Sequence, residues 1–279
     1  MKVVLTGAGG MLARALIHTL QARRHECVPL DRAALDVTDA AAVLSTITAE
    51  RPAVVIQCAA YTAVDEAERD EARAFAVNAA GTANVAVACI DVGARLVYPS
   101  TDYVFDGSAA HPYPPDHATS PLNAYGRSKL AGEVAARAAD ALVVRTSWLY
   151  GKGGRNFVRT MLQRARNGQP LRVVDDQRGA PTATSDLAAM ILLLLERGAA
   201  AGTYHATNAG ETTWFGLASA ALDAAGITAD LIPVDSSAFV VAAARPRYSV
   251  LDCSATYALT GAARDWRAAL VAEIEDGLE

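Results

Sequence analysis

The chain has 279 residues, of which 52% are apolar and 20% charged, and its net charge is −5. This composition is typical of a folded globular protein and excludes a disordered or collagen-like chain. The mild negative charge gives no reason to expect nucleic acid as a partner. The most apolar run, residues 188–195, is far shorter than the roughly 20 residues that span a bilayer, so we expect a buried helix and no membrane contact.

The amino terminus carries no pattern of a secretory signal, because Met1 and Lys2 lead directly into an apolar run. We therefore expect a cytoplasmic protein. Four cysteines are scattered along the chain without a Cys-x-x-Cys pair, and we expect all four to be reduced. The five histidines show no spacing typical of metal ligands, which predicts no metal site.

The first half alternates short apolar runs with alanine-rich helical stretches. This pattern predicts a Rossmann-like α/β fold, in which helices cover both faces of a doubly wound parallel sheet. The predicted strands are residues 3–6, 27–30, 54–58, 95–99 and 142–146. The predicted helices are residues 11–23, 39–50, 66–92 and 125–139.

After residue 147 the alternation loosens, with a helix predicted at 157–166 and a strand at 171–174. We therefore predict a dinucleotide-binding domain at 1–147. Residues 148–279 are expected to form a smaller, mainly substrate-binding lobe, some of whose segments return to the first core. The loop 105–122 is too long for a simple connection and is expected to overhang a site.

A glycine-rich turn follows the first strand and precedes the first helix. Gly7 and Gly10 have the spacing that lets backbone amides approach a pyrophosphate at a helix amino terminus, and Ala13 stands where a third glycine is usual. An ordinary β-to-α turn is the alternative. We predict a dinucleotide site, with Gly7 and Gly10 among its residues.

The ends of the next two strands supply further candidate coenzyme contacts. Asp31 is suited to a ribose 2′-hydroxyl and Arg32 to a 2′-phosphate, so the sequence leaves NADH and NADPH both open. Asp36 can reach the adenine, while Thr38 or Asp39 is expected to cap the following helix. The small residues 59–60 after the third strand either admit the dinucleotide or pack tightly in the core.

Tyr125 and Lys129 begin a predicted helix, and their spacing of four places both side chains on one face. A phenol can protonate a carbonyl that receives hydride, and a neighbouring ammonium is expected to lower the phenol pKa from its usual value of about 10. The chain has only three lysines (Lys2, Lys129 and Lys152), so a chance pairing is improbable. Thr101, just after the fourth strand, is expected to hold the same carbonyl oxygen.

Three longer stretches carry a family resemblance: residues 58–68, 100–107 and 121–133. With residues 145–148, 176–182 and 245–252, they resemble the dTDP-4-dehydrorhamnose reductases, a branch of the extended short-chain dehydrogenase/reductase family. The resemblance runs essentially from end to end. It implies NADPH-dependent reduction, with NADH possible, of the C4 ketone of dTDP-4-dehydro-6-deoxy-L-mannose to dTDP-L-rhamnose.

The resemblance also implies roles for individual residues. Tyr125 would donate the proton, Lys129 would support it, and Thr101 would tune the tyrosine. The sugar nucleotide would face Thr101, Asp102, Tyr103 and Trp148, with Arg245 as a phosphate or sugar contact or, alternatively, a structural ion pair. The dinucleotide would be lined by Gly10, Met11, Leu12, Asp31, Asp36, Val37, Ala59, Ala60 and Tyr61, and Asn78 would support the site.

The chain departs from the family pattern at Ala13, at residues 114–117 and at Tyr248, which affects the loop details and the substrate fit. Some members bind magnesium at a subunit contact, but no matching carboxylate cluster can be placed here, and we predict no required metal. A homodimer is one possible assembly. Two alternatives remain: a reductase of another 4-keto-6-deoxysugar nucleotide, and a non-catalytic regulatory subunit that binds a dinucleotide.

Overall fold

A computed structural model describes residues 1–278 and shows an α/β protein with twelve strands in that range. The strands are β1 (Lys2–Thr6), β2 (Glu26–Leu30), β3 (Val54–Gln57), β4 (Arg95–Thr101), β5 (Leu142–Thr146), β6 (Leu149–Tyr150), β7 (Leu171–Val174), β8 (Arg178–Gly179), β9 (Thr182–Ala183), β10 (Gly202–His205), β11 (Thr212–Thr213) and β12 (Leu231–Val234).

Six of these strands form the central sheet, in the order β10-β5-β4-β3-β1-β2. Every pairing within it is parallel. The five strands predicted in the first half are confirmed, with ends that differ by at most two residues. The sixth strand, β10, was not predicted. Its sequence Gly-Thr-Tyr-His is only partly buried at the sheet edge and lacks the apolar run of an interior strand.

The helices are α1 (Met11–Ala22), α2 (Ala40–Glu50), α3 (Val64–Ala67), α4 (Glu71–Phe75), α5 (Gly81–Val92), α6 (Ala124–Arg137), α7 (Phe157–Arg166), α8 (Thr184–Glu196), α9 (Trp214–Ala224), α10 (Ser254–Thr260) and α11 (Trp266–Glu275). Short 3-10 helices occupy Asp102–Val104 and Ser236–Ala238, and a π-helical turn occupies Ala76–Ala80.

The single helix predicted over 66–92 is wrong in its first part. The chain leaves α3 after Ala67, and Asp70 then starts α4 by accepting a hydrogen bond from the amide of Arg73 at 3.1 Å. The π-helical turn joins α4 to α5 in one continuous helix, Glu71–Val92. Asp70 begins α4 because its side chain supplies the hydrogen-bond partner that the first amides of a helix lack.

Helices cover both faces of the central sheet. One face packs against α1 and α8, whose Leu16, Leu20, Ile191 and Leu194 are fully buried. The predicted buried helix at 188–195 is thus confirmed as part of α8. The other face packs against α2 and α5 through Val43, Ile47 and Val85. A second core joins α7, α9 and α11 with β7, and β7 pairs in parallel with β12.

Within residues 1–278, one helix, Glu71–Val92, is long and apolar enough to cross a membrane by length and composition. It packs against α2 and α6 over the sheet through buried side chains that include Val85 and Cys89, whereas Val87 and Ile90 are exposed. The same part of the chain contains no group of three or more His, Cys, Asp or Glu side chains that could hold a metal ion.

Candidate active site

A cleft of about 700 Å³ opens at the carboxyl ends of the sheet strands. The chain leaves β1 for β2 on one side and returns to β3 on the other, so the strand order reverses direction between β1 and β3. Ligands of open α/β sheets bind at such a switch point. The cleft is lined by residues that follow β1, β2 and β3 and by the ends of β4 and β5.

The turn after β1 comes very close to the segment after β3. Gly7 has a φ of +63°, and a Cβ atom there would lie 2.6 Å from the Cα of Ala59. Only glycine fits this position. The amide of Gly10 donates to the Gly7 carbonyl at 3.0 Å, and no described side chain caps α1. Its first residues Met11, Leu12 and Ala13 line the cleft, so the amino terminus of α1 is available to a phosphate.

The residues after β2 form the far wall of the same cleft. Asp31, Arg32, Asp36 and Val37 all line it. The Arg32 side chain is 74% exposed and its Nε lies 3.6 Å from the Asp36 carboxylate. The Asp31 carboxylate accepts from the amide of Ala34 at 2.9 Å, which leaves acceptor capacity toward the cleft. Both coenzyme determinants predicted from the sequence therefore stand at this wall.

Of the two residues considered as the cap of α2, Thr38 and Asp39, only Asp39 has that role. Asp39 caps the helix by accepting from the amide of Ala42 at 3.0 Å. Thr38 instead donates its hydroxyl to Asp36 at 2.7 Å. The amide of Thr38 also donates to Asp36, at 3.0 Å. This amide bond, followed by the hydroxyl bond, is the main reason that the pKa of Asp36 is lowered.

The predicted contacts after β3 divide into lining and supporting residues. Ala59, Ala60 and Tyr61 line the cleft. Asn78 does not line it and is 1% exposed. Its amide group bonds both the N–H and the carbonyl of Tyr61, at 2.8 and 3.0 Å, and donates to the hydroxyl of Ser128 at 2.9 Å. Asn78 thus fixes the loop after β3 to α6, and its predicted contact with the coenzyme stays a prediction.

Tyr125 and Lys129 both line the cleft from the first turns of α6. Asn123 begins this helix by accepting a hydrogen bond from the amide of Gly126 at 2.8 Å. The Nζ of Lys129 donates to the carbonyl of Pro99 at 2.8 Å and lies 4.0 Å from the centre of the Tyr98 ring. Burial lowers the pKa of Lys129 to about 7.

The expected lowering of the Tyr125 pKa is not found in this structure. Burial raises the pKa of Tyr125 well above its usual value, the Thr101 hydroxyl opposes this rise, and the Asp102 carboxyl adds to it. The physical reason is desolvation of the phenolate, with the Lys129 ammonium bonded to Pro99 rather than to the phenol. Tyr125 is therefore protonated at neutral pH.

Thr101 ends β4 near Tyr125, and Asp102 and Tyr103 begin the 3-10 helix that follows it. The Thr101 hydroxyl accepts from the amide of Tyr103 at 3.1 Å and donates to the Asp102 carboxylate at 3.0 Å. Asp102 is 2% exposed, and its Oδ2 has no partner among the described residues. Burial raises its pKa to about 7. The Tyr103 ring meets Tyr125 edge-on, with centroids 6.0 Å apart.

A second cleft, of about 660 Å³, lies in the smaller core. Phe157 and Trp214 form an aromatic part of its wall, and Arg245 lines it as well. Trp148 stacks on Trp214, which lines this cleft, with ring centroids 3.6 Å apart, and its contact with the sugar nucleotide stays a prediction. Arg245 forms the ion pair that the sequence left as an alternative, with Asp65 at 2.6 Å.

Several lining residues were not singled out from the sequence. In the first cleft they are Arg73, Ser100 and Thr146. In the second they are Arg164, Arg172 and Arg247. Among 25 basic residues in the chain, these arginines have no spacing that marks them. Ser100 and Thr146 could have been identified from the sequence, because each lies at or directly after the carboxyl end of a predicted parallel strand.

The comparisons with known proteins agree along nearly the whole chain. A dTDP-4-dehydrorhamnose reductase of Streptomyces griseus is 48% identical over 276 residues, which cover 96% of this chain and 91% of the relative. A dTDP-4-keto-6-deoxy-D-glucose reductase of Streptomyces niveus is 43% identical over 252 residues, covering 89% of this chain and 87% of the relative.

Solved structures give the same result. The crystal structure of dTDP-4-dehydrorhamnose reductase from Bacillus anthracis str. Ames in complex with NADP is 40% identical, has a TM-score of 0.95, and covers 99% of this chain and 100% of that chain. The model of the family described as RmlD substrate binding domain matches residues 1–278. The chain therefore belongs to the RmlD substrate binding domain family.

Proposed function

We propose that this protein is an NADPH-dependent reductase that converts dTDP-4-dehydro-6-deoxy-L-mannose into dTDP-L-rhamnose. The observation that carries the proposal is the placement of Tyr125 and Lys129 on one face of α6, where both line the cleft at the switch point of the sheet. The names of the Streptomyces griseus and Bacillus anthracis relatives support this substrate.

The first cleft fits a dinucleotide. The close approach of Gly7 to Ala59 makes room for a pyrophosphate over the amino terminus of α1, and the exposed guanidinium of Arg32 suits a 2′-phosphate. In our proposal residues 1–147 hold the coenzyme, and residues 148–279 mainly hold the sugar nucleotide. The NADP complex of the Bacillus anthracis relative supports NADPH over NADH.

NADPH, when bound, supplies the hydride that reduces the ketone. Tyr125, which is protonated at neutral pH, donates its phenolic proton to the ketone oxygen. The Thr101 hydroxyl, which lowers the Tyr125 pKa, stabilises the phenolate that remains. Lys129 lines the same wall and is 3% exposed. Its pKa of about 7 makes the ammonium one of the two forms present at neutral pH, and that form adds positive charge beside Tyr125.

The second cleft is suited to the nucleotide part of the substrate. The rings of Trp214 and Phe157 offer a stacking surface for a base, and Arg164, Arg172 and Arg247 offer guanidinium groups for a diphosphate. Arg245 lines this cleft, and the Tyr103 ring meets Tyr125 edge-on with centroids 6.0 Å apart. In our proposal the sugar end of the substrate extends from the second cleft toward Tyr125.

A second candidate function is reduction of another 4-keto-6-deoxysugar nucleotide, and the Streptomyces niveus relative favours it. The two functions separate when purified protein and NADPH are given dTDP-4-dehydro-L-rhamnose or dTDP-4-keto-6-deoxy-D-glucose. We expect faster loss of NADPH absorbance with the L-sugar. Faster turnover of the D-sugar would favour the second candidate. Dinucleotide binding without turnover of either sugar would favour a regulatory subunit.

A further inference from the structure

Glu133 is a buried carboxylate that the proposed mechanism does not use. It lies on α6 one turn after Lys129 and is 0% exposed. It accepts hydrogen bonds from Arg145 Nε and Nη2 at 2.8 and 2.7 Å, from the hydroxyl of Ser100 at 2.6 Å, and from Arg137 at 2.9 Å. These four donors saturate its two oxygens, so the group is held in one orientation.

The partners of Glu133 come from the elements that form the wall of the coenzyme cleft. Ser100 stands between Pro99, whose carbonyl accepts from Lys129, and Thr101, which is bonded to Asp102. Arg145 lies on β5, which pairs with β4 so that Ser100 is opposite Arg145. The hydrogen bond from Ser100 to Glu133 therefore joins β4 to α6 directly. We infer that it fixes the position of α6 along β4, and with it the distance from Tyr125 to Thr101.

Arg145 extends the same connection to the long loop after β4. Its Nη1 donates to the carbonyl of Pro115 at 3.1 Å, and its guanidinium lies 5.1 Å from the centre of the Phe105 ring. A planar guanidinium can bind a carboxylate through two N–H groups and still donate to a third partner, whereas a lysine cannot. The loop 105–122 is thus tied to α6 through this ion pair.

We propose that Glu133, held by Arg145, is a positioning residue of the reductase site. It fixes the face of α6 that carries Tyr125 and Lys129 against the end of β4, and it places a negative charge one helical turn from the Lys129 ammonium. The role in reduction rests on the proposed function. The placement of charge beside Lys129 does not, because it follows from the packing of α6 alone.

Electrostatics support the placement. Burial is the largest influence on the Lys129 pKa and lowers it, while the charge of Glu133 is the main influence that raises it. The Cys58 thiol is the other group that acts on the Lys129 pKa. The elements packed against α6 also carry Asp65, Glu66, Glu71, Arg73, Asp91, Arg95, Tyr98, Asp102, Tyr103 and Arg145. The pKa of Cys58 is raised to about 12, so its thiol is uncharged. Glu133 is therefore the main source of negative charge that favours the ammonium.

The test measures Lys129 directly. The chain has only Lys2, Lys129 and Lys152, so ¹³C-lysine labelling of the whole protein gives three side-chain signals, and Lys129→Arg identifies one of them. In Glu133→Gln we expect the Lys129 titration midpoint to fall by on the order of one pH unit, since an opposite charge nearby is worth that much. The matched control Asp186→Asn removes a carboxylate paired with Arg264, remote from α6, and should leave the midpoint unchanged.

A purely structural Glu133 would lower stability without moving the Lys129 midpoint, and that result would overturn the proposal. Because loss of one partner from a buried ion pair can prevent folding, Arg137→Gln serves as the second variant. The Arg137 side chain is 39% exposed, and its removal leaves Glu133 less neutralised. The Lys129 midpoint should then rise, and an unchanged or lower midpoint would also overturn the proposal.

Activity provides the functional readout. If the wild type reduces the keto sugar, the alkaline limb of its kcat profile should move to lower pH in Glu133→Gln, because the ammonium is lost at lower pH. An unshifted alkaline limb would reject the placement of charge beside Lys129, and an unchanged kcat on the plateau would reject the positioning of Tyr125. If the wild type reduces no keto sugar, the proposed function fails, while the lysine titration still decides the placement of charge.

Discussion

Arg245, which lines the second cleft, is joined to Asp65 of α3 by a pair of hydrogen bonds of 2.6 and 3.1 Å between guanidinium and carboxylate. The amide of Ala243 donates to the same carboxylate at 3.0 Å, and the side chain of Asn123 donates to the carbonyl of Ala244 at 2.8 Å. The segment 243–245 is thus tied both to α3 and to the cap of α6. Substrate that contacts this segment is placed relative to the helix that carries Tyr125.

Arg245→Gln and Asp65→Asn distinguish a substrate contact from a structural ion pair. Both side chains are partly exposed, so each variant should lose no more than about 1 kcal/mol of unfolding free energy. If Arg245 also binds the diphosphate, Arg245→Gln should raise the KM for the sugar nucleotide by on the order of tenfold, since hydrogen bonds to charged groups contribute that much. Asp65→Asn should change it less. If both variants changed the KM equally, Arg245 would have no substrate contact and only its ion pair with Asp65.

Tyr125→Phe should lower kcat by about 10²–10⁴-fold, the usual contribution of a positioned general acid. The Kd for NADPH, measured by fluorescence titration, should remain close to that of the wild type. Tyr204→Phe is the control, because the hydroxyl of Tyr204 is on the surface and bonds only the carbonyl of Ala200 among the described residues. Normal turnover of Tyr125→Phe would remove Tyr125 from the mechanism.

Arg32→Ala should weaken NADPH binding by on the order of tenfold, because a charge-assisted bond to the 2′-phosphate is lost. Binding of NADH, which has a hydroxyl in that place, should change little. Arg267→Ala on α11 controls for loss of a positive charge, since Arg267 lies against Trp266 and does not line the coenzyme cleft. An equal loss for both coenzymes would show that Arg32 does not contact the 2′-phosphate.

Asp102 should make stability depend on pH in a definite direction. Burial raises its pKa from 3.8 to about 7, so between these values the folded state holds a proton that the unfolded state has lost. The contribution of Asp102 to the unfolding free energy therefore decreases as pH rises through this window. Asp102→Asn lacks this dependence. The difference in unfolding free energy, variant minus wild type, should grow from about pH 4 to about pH 7 in urea titrations. A constant difference would contradict burial of an ionisable Asp102.

The sequence was sufficient for the elements whose signal is local. Gly7 and Gly10 between an apolar strand and a helix predicted the turn, and the spacing of Tyr125 and Lys129 predicted a shared helix face. What the sequence could not provide depends on contacts between distant segments. The hydrogen bond from Lys129 to the Pro99 carbonyl and the burial that raises the Tyr125 pKa both depend on which distant segments pack around α6.

The same limit explains the other differences. The strand β10 is recognisable only because β5 offers it an unpaired edge, and the break before α4 depends on a cap by Asp70 within a stretch that is otherwise helical in composition. The stacking of Trp148 on Trp214 could not be predicted either, since the two residues lie 66 positions apart in the printed sequence.

The most direct test of the account is to identify the product by NMR after wild-type protein has consumed dTDP-4-dehydro-L-rhamnose and NADPH. The account predicts dTDP-L-rhamnose, with one NADPH oxidised for each molecule formed. A product with the opposite configuration at C4 would contradict the assigned orientation of the sugar against Tyr125. Absence of any oxidation, despite dinucleotide binding, would contradict the reductase itself.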